Sequence, residues 1–504
     1  MSSSTLARPG DATGRAPRRT RRPAWLSPRV LRTEVLAGLV VALALIPEAI
    51  SFSIIAGVDP RVGLFSAFTM AVTIAVVGGR PAMISAATGA VALVVAPLVR
   101  EHGYDHLVAA VLLGGAVQVV LGVLGVARLM RFVPRSVMTG FVNALAILIF
   151  VAQVPYFVGV PWAVYPTAAV AILIMVLLPR VTTAVPAPLV AIVVLTAATA
   201  LASLALPDVG DQGALPESLP SLFWPDVPAT WDTLRIIAPY ALGIAMVGLL
   251  ESLMTAKLVD EITDTPSRKG REAWGQGVAN LVTGAFGGMG GCAMIGQTMI
   301  NVRSGARTRL STFLAGALLL VLVVGLGDVV ATIPMAVLAA VMVMVSVATF
   351  DWRSVRPSTL RRMPRSETAV MVVTVAVVVA THNLAIGVLV GVVVAALLFA
   401  RRVAHLVTVT RALEDDGRTA RYRVEGALFF ASSNDLVSQF SYGDDPADVV
   451  VDLSGSHVWD ASTVAALDAV EAKYASRGKR LRIEGLNEAS ADMHGRLAGH
   501  LSAH

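Results

Sequence analysis

Charge is scarce in this sequence. Of its 504 residues only 15% are Asp, Glu, Lys or Arg, while 56% are hydrophobic and the mean hydropathy is +0.73. An ordinary soluble chain carries about 25% charged residues. A soluble protein this apolar would expose large greasy patches, so the shortage excludes the multidomain soluble enzyme that length alone suggests. Cysteine is nearly absent: Cys292 stands alone, which excludes a disulfide scaffold. No Gly-x-x-x-x-Gly-Lys-Ser/Thr loop is present, so nothing offers ATP as a direct driving force. The closest histidine pairs, His102 with His106 and His500 with His504, fall in a loop and in the tail. No metal site, cofactor or catalytic triad is therefore expected. The basic N-terminus runs into apolar sequence holding Pro47 and Glu48, with no small-residue cleavage site behind it, which argues against a secretory leader.

What is present divides into three. Residues 1–33 carry eight arginines against one acid, Asp11. Such a tail before an apolar run places the N-terminus in the cytoplasm, a simpler reading than nucleic-acid binding. From 34 to 402 the chain is a series of apolar runs, and a helix needs about 20 such residues to cross a bilayer. The candidate spans are 34–56, 62–78, 105–125, 136–155, 163–179, 182–205, 236–256, 273–288, 310–326, 329–349, 368–381 and 384–400. Two small-residue-rich stretches, 82–99 and 291–304, read as broken spans and bring the expected number to fourteen. From 404 to 504 the composition is that of a soluble domain. Strands are expected at 406–410, 422–430, 449–453 and 481–484, with a helix at 461–474, giving a small α/β domain.

Charge supports the count. With fourteen crossings, Arg80, Arg128, Arg131, Arg135, Arg180, the 257–272 loop, Arg303, Arg307, Arg309, the arginines of 351–366 and Arg401–Arg402 all fall on the cytoplasmic side. The long 206–233 loop has Asp208, Asp211, Glu217, Asp226 and Asp232 but no Lys or Arg, as an outside loop should.

An acid inside a span is costly and is a candidate for function. Glu48 lies within the first span and Glu251 within the eighth. These are matching positions if the spans are seven plus seven, the spacing an inverted repeat produces. Thr255 follows Glu251 by four residues and so shares its helix face. A carboxylate with hydroxyls beside it can hold a proton or a small cation. The competing reading is a structural carboxylate bonded to a neighbouring helix.

The interrupted segments point to a substrate. Gly79 to Gly89 breaks helix with Gly and Pro and then offers Ser85 and Thr88. Gly287 to Thr298 has the same shape seven spans later. Paired interruptions of this kind are the best pointer to a transporter's binding site. A half-helix starting at mid-membrane has free N–H groups and partial positive charge at its start, so two such ends form an anion cradle without a buried Lys or Arg. The alternative is close helix packing through glycine.

Several stretches resemble one family. Ala37-Gly38 through Pro47-Glu48 to Gly63-Leu64-Phe65, then Arg131 to Phe141, Leu250-Glu251-Ser252-Leu253, Gly275 to Asn280 and Asn301 to Ala306 resemble the SulP family, bacterial relatives of the solute carrier 26 anion transporters. Gly426 to Ala431 and Val451 to Gly455 resemble a STAS domain. The resemblance covers about residues 30–500. It implies a fourteen-span, seven-plus-seven inverted repeat in which a core domain moves against a gate domain, commonly within a homodimer. The anion then sits between the third and tenth spans. The matching positions are Ser85, Ala86, Ala87 and Thr88 facing Ala293, Met294, Ile295 and Gln297, with Glu48 and Glu251 lining the space. Many relatives carry an arginine where this chain has Gln297, which favours a co-bound proton or cation. Sodium-coupled members keep small or hydroxyl residues where this chain has Met294 and Ile295, so Glu251 with Thr255 is an incomplete sodium match.

The resulting expectation is a secondary active anion transporter, not an enzyme. It would sit in a bacterial inner membrane with both termini cytoplasmic, and it would carry sulfate, bicarbonate or fumarate with protons. Rival readings are a sodium-coupled bicarbonate symporter, an uncoupled exchanger or channel, and a signalling module acting through the STAS domain. In that domain Ser462 falls where related domains carry a phosphorylatable serine, a possible regulatory position beside a partner-binding face. Nucleic acid is not an expected partner.

Overall fold

The structure is a computed structural model that describes residues 27–128, 133–182, 186–404, 407–414 and 417–500. Most of the basic tail, together with Arg131 and Phe132, lies outside the described residues. Two compact units are present. One comprises 1–133, 142–351 and 377–386, and the other 134–141, 352–376 and 387–504.

The first half of the apolar region runs α1 (Pro28–Ala56), α2 (Pro60–Val77), β1 (Ser85–Ala86), α3 (Gly89–His102), α4 (Tyr104–Val123), α5 (Arg135–Gln153), α6 (Val164–Val181) and α7 (Ala187–Leu201). The second half runs α8 (Trp231–Thr263), α9 (Lys269–Ala285), β2 (Cys292–Ala293), α10 (Ile295–Arg303), α11 (Arg309–Gly325), α12 (Gly327–Ala331), α13 (Met335–Thr349), α14 (Pro357–Arg362), α15 (Arg365–Thr381) and α16 (Leu384–Ala404). Among the described residues seven helices are long and apolar enough to cross a membrane: α1, α2, α4, α5 with the turn after it, α6, α8 and α16. Helices α7, α11 and α13 are apolar but shorter.

Local chemistry sets the ends. The Ser27 hydroxyl accepts from Val30 N–H at 3.4 Å, Pro28 opens α1, and Gly57 at φ 80° closes it. Thr230 caps α8 in the same way, accepting from Thr233 N–H at 3.3 Å. At the end of α2 the loose carbonyls of Val76 and Val77 accept from Arg271, and those of Ala75 and Val76 from Arg309. The start of α11 is capped by buried Glu34, whose carboxylate accepts from the N–H groups of Arg307, Thr308 and Ser311 at 2.7, 3.0 and 3.1 Å.

Packing repeats itself across the two halves. Helix α4 packs against α8 and α9, and α11 packs against α1 and α2. Helix α3 touches α1 and α8, as does α10. Exchanging α1 with α8, α2 with α9, α3 with α10 and α4 with α11 maps this pattern onto itself, as an inverted repeat requires. Strands β1 and β2 pair antiparallel, so a two-fold axis passes between them. The α4–α9 contact is tight because Gly277 has no side chain; a Cβ there would lie 2.5 Å from Val119 N and 2.7 Å from the Gly115 carbonyl.

In the second unit the C-terminal domain forms a four-stranded sheet of β3 (Thr408–Glu414), β4 (Thr419–Leu428), β5 (Asp448–Val458) and β6 (Arg480–Glu484) in that spatial order. The first pair is antiparallel and the others parallel. Helices α17 (Phe430–Ser438), α18 (Ala461–Ala475) and α19 (Glu488–Leu497) complete it. The core gathers Tyr422, Val424, Leu428, Val451, Leu453, Leu467, Val470 and Tyr474. Asp445 is buried within it, accepting from the Tyr422 and Tyr474 hydroxyls at 2.7 and 2.5 Å and from Arg411 at 2.7 Å. Burial, with the hydrogen bond to Asp445, pushes the Tyr474 hydroxyl well above the usual tyrosine range.

Candidate functional site

The two interrupted segments meet. Ser85 pairs with Ala293 and Ala86 with Cys292, and Met294 N–H donates to the Ile84 carbonyl at 2.9 Å. Such a meeting of backbones requires glycine at 291, where a Cβ would lie 2.0 Å from the Ala86 carbonyl oxygen. Each short strand leads directly into a half-helix, so the starts of α3 and α10 lie beside the crossing.

The two starts differ. At α3 the Thr88 side chain caps the helix, accepting from Val91 N–H at 3.4 Å. Phe52 of α1 and Ile149 of α5 lie against Gly89, covering that end. At α10 the N-cap is Met294, which has no capping side chain, and Gly296 in the first turn is exposed with nothing within 4 Å of where a Cβ would stand. The N–H groups of that first turn therefore have no side-chain cap, and the turn is open at Gly296.

Both acids reach the crossing. Glu251 is buried on α8, where its Oε2 accepts from the Cys292 thiol at 2.9 Å. Sγ in turn lies 3.2 Å from Thr88 Oγ1. The next residue, Ser252, accepts from Ala293 N–H at 3.1 Å. Thr255 shares the Glu251 face, but its hydroxyl donates to the Glu251 backbone carbonyl at 2.8 Å and so serves its own helix rather than the carboxylate. Glu48 is half-buried on α1, one residue after Pro47, which removes a helix hydrogen bond there. Its carboxyl faces the Gln297 side chain of α10. Gln297 is buried, yet its Oε1 has no hydrogen-bond partner among the described residues.

A polar stripe on α9 holds the crossing in place. Glu272 accepts from Gly79 and Arg80 N–H at 2.6 and 3.0 Å and from Gln276 at 2.8 Å. Gln276 also donates to Ser85 Oγ at 2.7 Å. Asn280 accepts from Gly291 N–H at 2.9 Å and donates to the Gly291 carbonyl at 3.1 Å and to Gln118 of α4 at 2.7 Å. Thr283 bonds Thr69 of α2 at 2.8 Å. These four side chains recur at helical spacing and face inward, so one helix positions both broken segments.

Of the expected site residues, Ser85, Ala86 and Ala293 lie in the strand pair, Thr88 and Met294 at the two caps, and Ile295 and Gln297 in the first turn of α10. Ala87 is buried between β1 and α3. Ser85 turns its hydroxyl toward α9. Sequence reasoning did not assign Cys292, Phe52 or the α9 stripe to the site, and it set the Ser252 hydroxyl beside Glu251, whereas that hydroxyl accepts from Ala293 N–H. The stripe had a visible signal: polar residues at i, i+4 and i+8 inside an apolar run. Ser462 belongs to the other unit, where it is exposed in the first turn of α18 beside the cap Asp460.

Two half-helices meeting through a short antiparallel pair, within a bundle that repeats itself by a two-fold, define a membrane transporter built on an inverted repeat. The chain belongs to the sulfate permease family, which matches residues 31–177 and 161–374, and it carries a STAS domain at 411–499. It is thus a membrane anion transporter and not an enzyme. It is 53% identical over 93% of its length to YbaR of Bacillus subtilis (strain 168), provisionally named a sulfate transporter, of which it covers 97%. It is 26% identical over 91% of its length to the bicarbonate transporter BicA of Synechocystis sp. (strain PCC 6803), covering 88% of that protein. The transmembrane domain of a cyanobacterial BicA superposes with a TM-score of 0.64 at 25% identity, over 73% of this chain and 98% of that one. Murine solute carrier Slc26a9 in an inward-facing state gives 0.80 at 16% identity, over 94% and 89%, and shares the fold.

Proposed function

We propose that this protein is a proton-coupled symporter of a small oxyanion or dicarboxylate, in the class of sulfate, bicarbonate or fumarate. The observation that carries the reading is the uncapped start of α10 opening beside the Glu48–Gln297 pair. Free N–H groups and the helix dipole favour an anion there. At the crossing residues themselves no Lys or Arg supplies a full positive charge. A dianion in so apolar a setting needs compensation, and a proton on Glu48 provides it without adding a side chain. Glu48 is then the coupling carboxylate and Glu251 the second polar anchor. Ser85 to Thr88 and Ala293 to Gln297 form the cradle, with Thr88 holding one start in shape. No further cofactor is required.

In this account all fourteen segments serve as spans in a bacterial inner membrane, with both termini in the cytoplasm. Residues 34–402 transport, 404–504 form the cytoplasmic STAS domain, and 1–33 form a basic leader. The core moves against the gate like an elevator, within a homodimer, and the STAS domain offers Ser462 to a cytoplasmic partner. A sodium site at Glu251 is a weaker reading, because the Thr255 hydroxyl is committed to its own helix. The names of YbaR and BicA support sulfate and bicarbonate as the first substrates to try.

The test is counterflow in proteoliposomes loaded with unlabelled sulfate, bicarbonate or fumarate. A carrier traps external label only opposite its own substrate and saturates with concentration. Unsaturable flux with large currents for any of the three would instead identify a channel.

A further inference from the structure

Cys292 is the only cysteine in the chain, and it lies in a line of hydrogen bonds. Val91 N–H donates to Thr88 Oγ1, Thr88 Oγ1 lies 3.2 Å from Sγ, and the thiol donates to Glu251 Oε2 at 2.9 Å. With the S–H committed to the carboxylate, the Thr88 hydroxyl is the donor to sulfur. One fact fixes this direction: an ionised carboxylate only accepts. When the carboxyl takes its proton on Oε2, that oxygen becomes a donor and the line reverses. The acid then donates to sulfur, the thiol proton turns toward Thr88 Oγ1, and the Thr88 proton is displaced from the line. Thr88 Oγ1 accepts from Val91 N–H in both states, but only in the protonated state does it also accept from the thiol, so the hydrogen bonding at the cap of α3 follows the state of Glu251.

A counterpart exists across the two-fold. Glu48, on the first helix of the first half, faces Gln297 at the start of the second half's half-helix, and Gln297 Oε1 is buried and unpartnered among the described residues. Glu251, on the first helix of the second half, reaches Thr88 at the start of the first half's half-helix. The intermediary is Cys292. Each acid is directed crosswise.

Other charged groups on the packed elements lie elsewhere along them. Helix α3 carries Arg100, Glu101 and His102 at its far end, and α4 carries Asp105 and His106 in its first turn. Glu272 of α9 serves Gly79, Arg80 and Gln276, while Lys269, Arg271 and, on α10, Arg303 sit at helix ends. On α8 itself Lys257, Asp260 and Glu261 follow more than a turn later, and Asp232 and Arg235 lie near its start. Among the described residues none of these bonds to Glu251.

We infer that Cys292 is a positioning residue that relays the protonation state of Glu251 to the cap of the opposite half-helix. The inference deepens the transport reading above and rests on it. Its direct test is infrared spectroscopy of the full-length protein in lipid, since the S–H stretch falls in a window free of other protein bands and this chain has one thiol. The band should move as pH is titrated and stay fixed in Glu251→Gln. A band that ignores pH, or moves equally in Glu251→Gln, overturns the relay. In proteoliposomes, Cys292→Ala should displace the pH profile of uptake to higher pH and lower the rate roughly tenfold, the scale of one lost hydrogen bond to a charged group. Cys292→Ser, which keeps a donor, should restore both to within about twofold. A Cys292→Ala profile superimposable on wild type also overturns it. If wild type itself transports none of the three anions, the transport reading fails, and the infrared titration still decides the relay.

Discussion

Neighbouring hydroxyls on α8 have separate duties, and that difference yields a prediction. Thr255 Oγ1 returns to the Glu251 backbone carbonyl at 2.8 Å, so its hydroxyl is satisfied within one helix. Ser252 Oγ instead holds Ala293 N–H at the strand pair. Thr255→Val should therefore leave uptake within about twofold of wild type, since only a local back-bond is lost. Ser252→Ala strands a buried N–H and should cost about 1–3 kcal/mol in stability, read as a lower melting temperature in detergent. Sequence position alone put Thr255 beside the carboxylate because i, i+4 spacing gives a face and not a donor direction. Glu48 and Glu251 were visible because an acid in an apolar run is a local anomaly. Their partners were not, since Cys292 is 41 residues from Glu251 along the chain and meets it only through the fold.

The crossing, α9 and the half-helices act together at the scale of elements. Gly291→Ala would force a Cβ into the Ala86 carbonyl at 2.0 Å, so β1 and β2 cannot keep their register. Uptake should be abolished, and full-length protein should extract in lower yield. Gln276→Ala removes the link from Glu272 to Ser85 and should cost about 1–3 kcal/mol, by the same penalty for an unsatisfied buried group. The broken segments were legible because Gly and Pro interrupt an apolar run at matching places in the two halves. Their antiparallel pairing was not, because it depends on how the halves close. In the C-terminal domain the strands at 449–453 and 481–484 and the helix at 461–474 were legible from alternation and amphipathicity. Helices α17 and α19 were missed: Phe429-Phe430 reads as the end of a strand, yet α17 begins at Phe430, with Ser432 bonding the Phe429 N–H at 3.0 Å.

The whole molecule joins a membrane anion transporter to a compact α/β domain with its own buried polar centre. Asp445→Asn leaves Arg411 without its ion pair and weakens two tyrosine hydrogen bonds. It should destabilise the STAS domain by about 1–3 kcal/mol, the usual cost of disturbing the bonds of one buried polar group, seen as early protease cleavage after residue 404. Ser462→Ala should not change that domain's stability, since the side chain is exposed and the cap of α18 is Asp460. The claim on which the rest depends is that anion movement is driven through Glu48. It is tested by uptake of labelled sulfate, bicarbonate and fumarate into proteoliposomes, with and without an inward proton gradient, for wild type and Glu48→Gln. The account predicts that one anion accumulates above equilibrium only with the gradient, and that Glu48→Gln equilibrates it without concentrating it. Accumulation that ignores the gradient, or survives in Glu48→Gln, would contradict it.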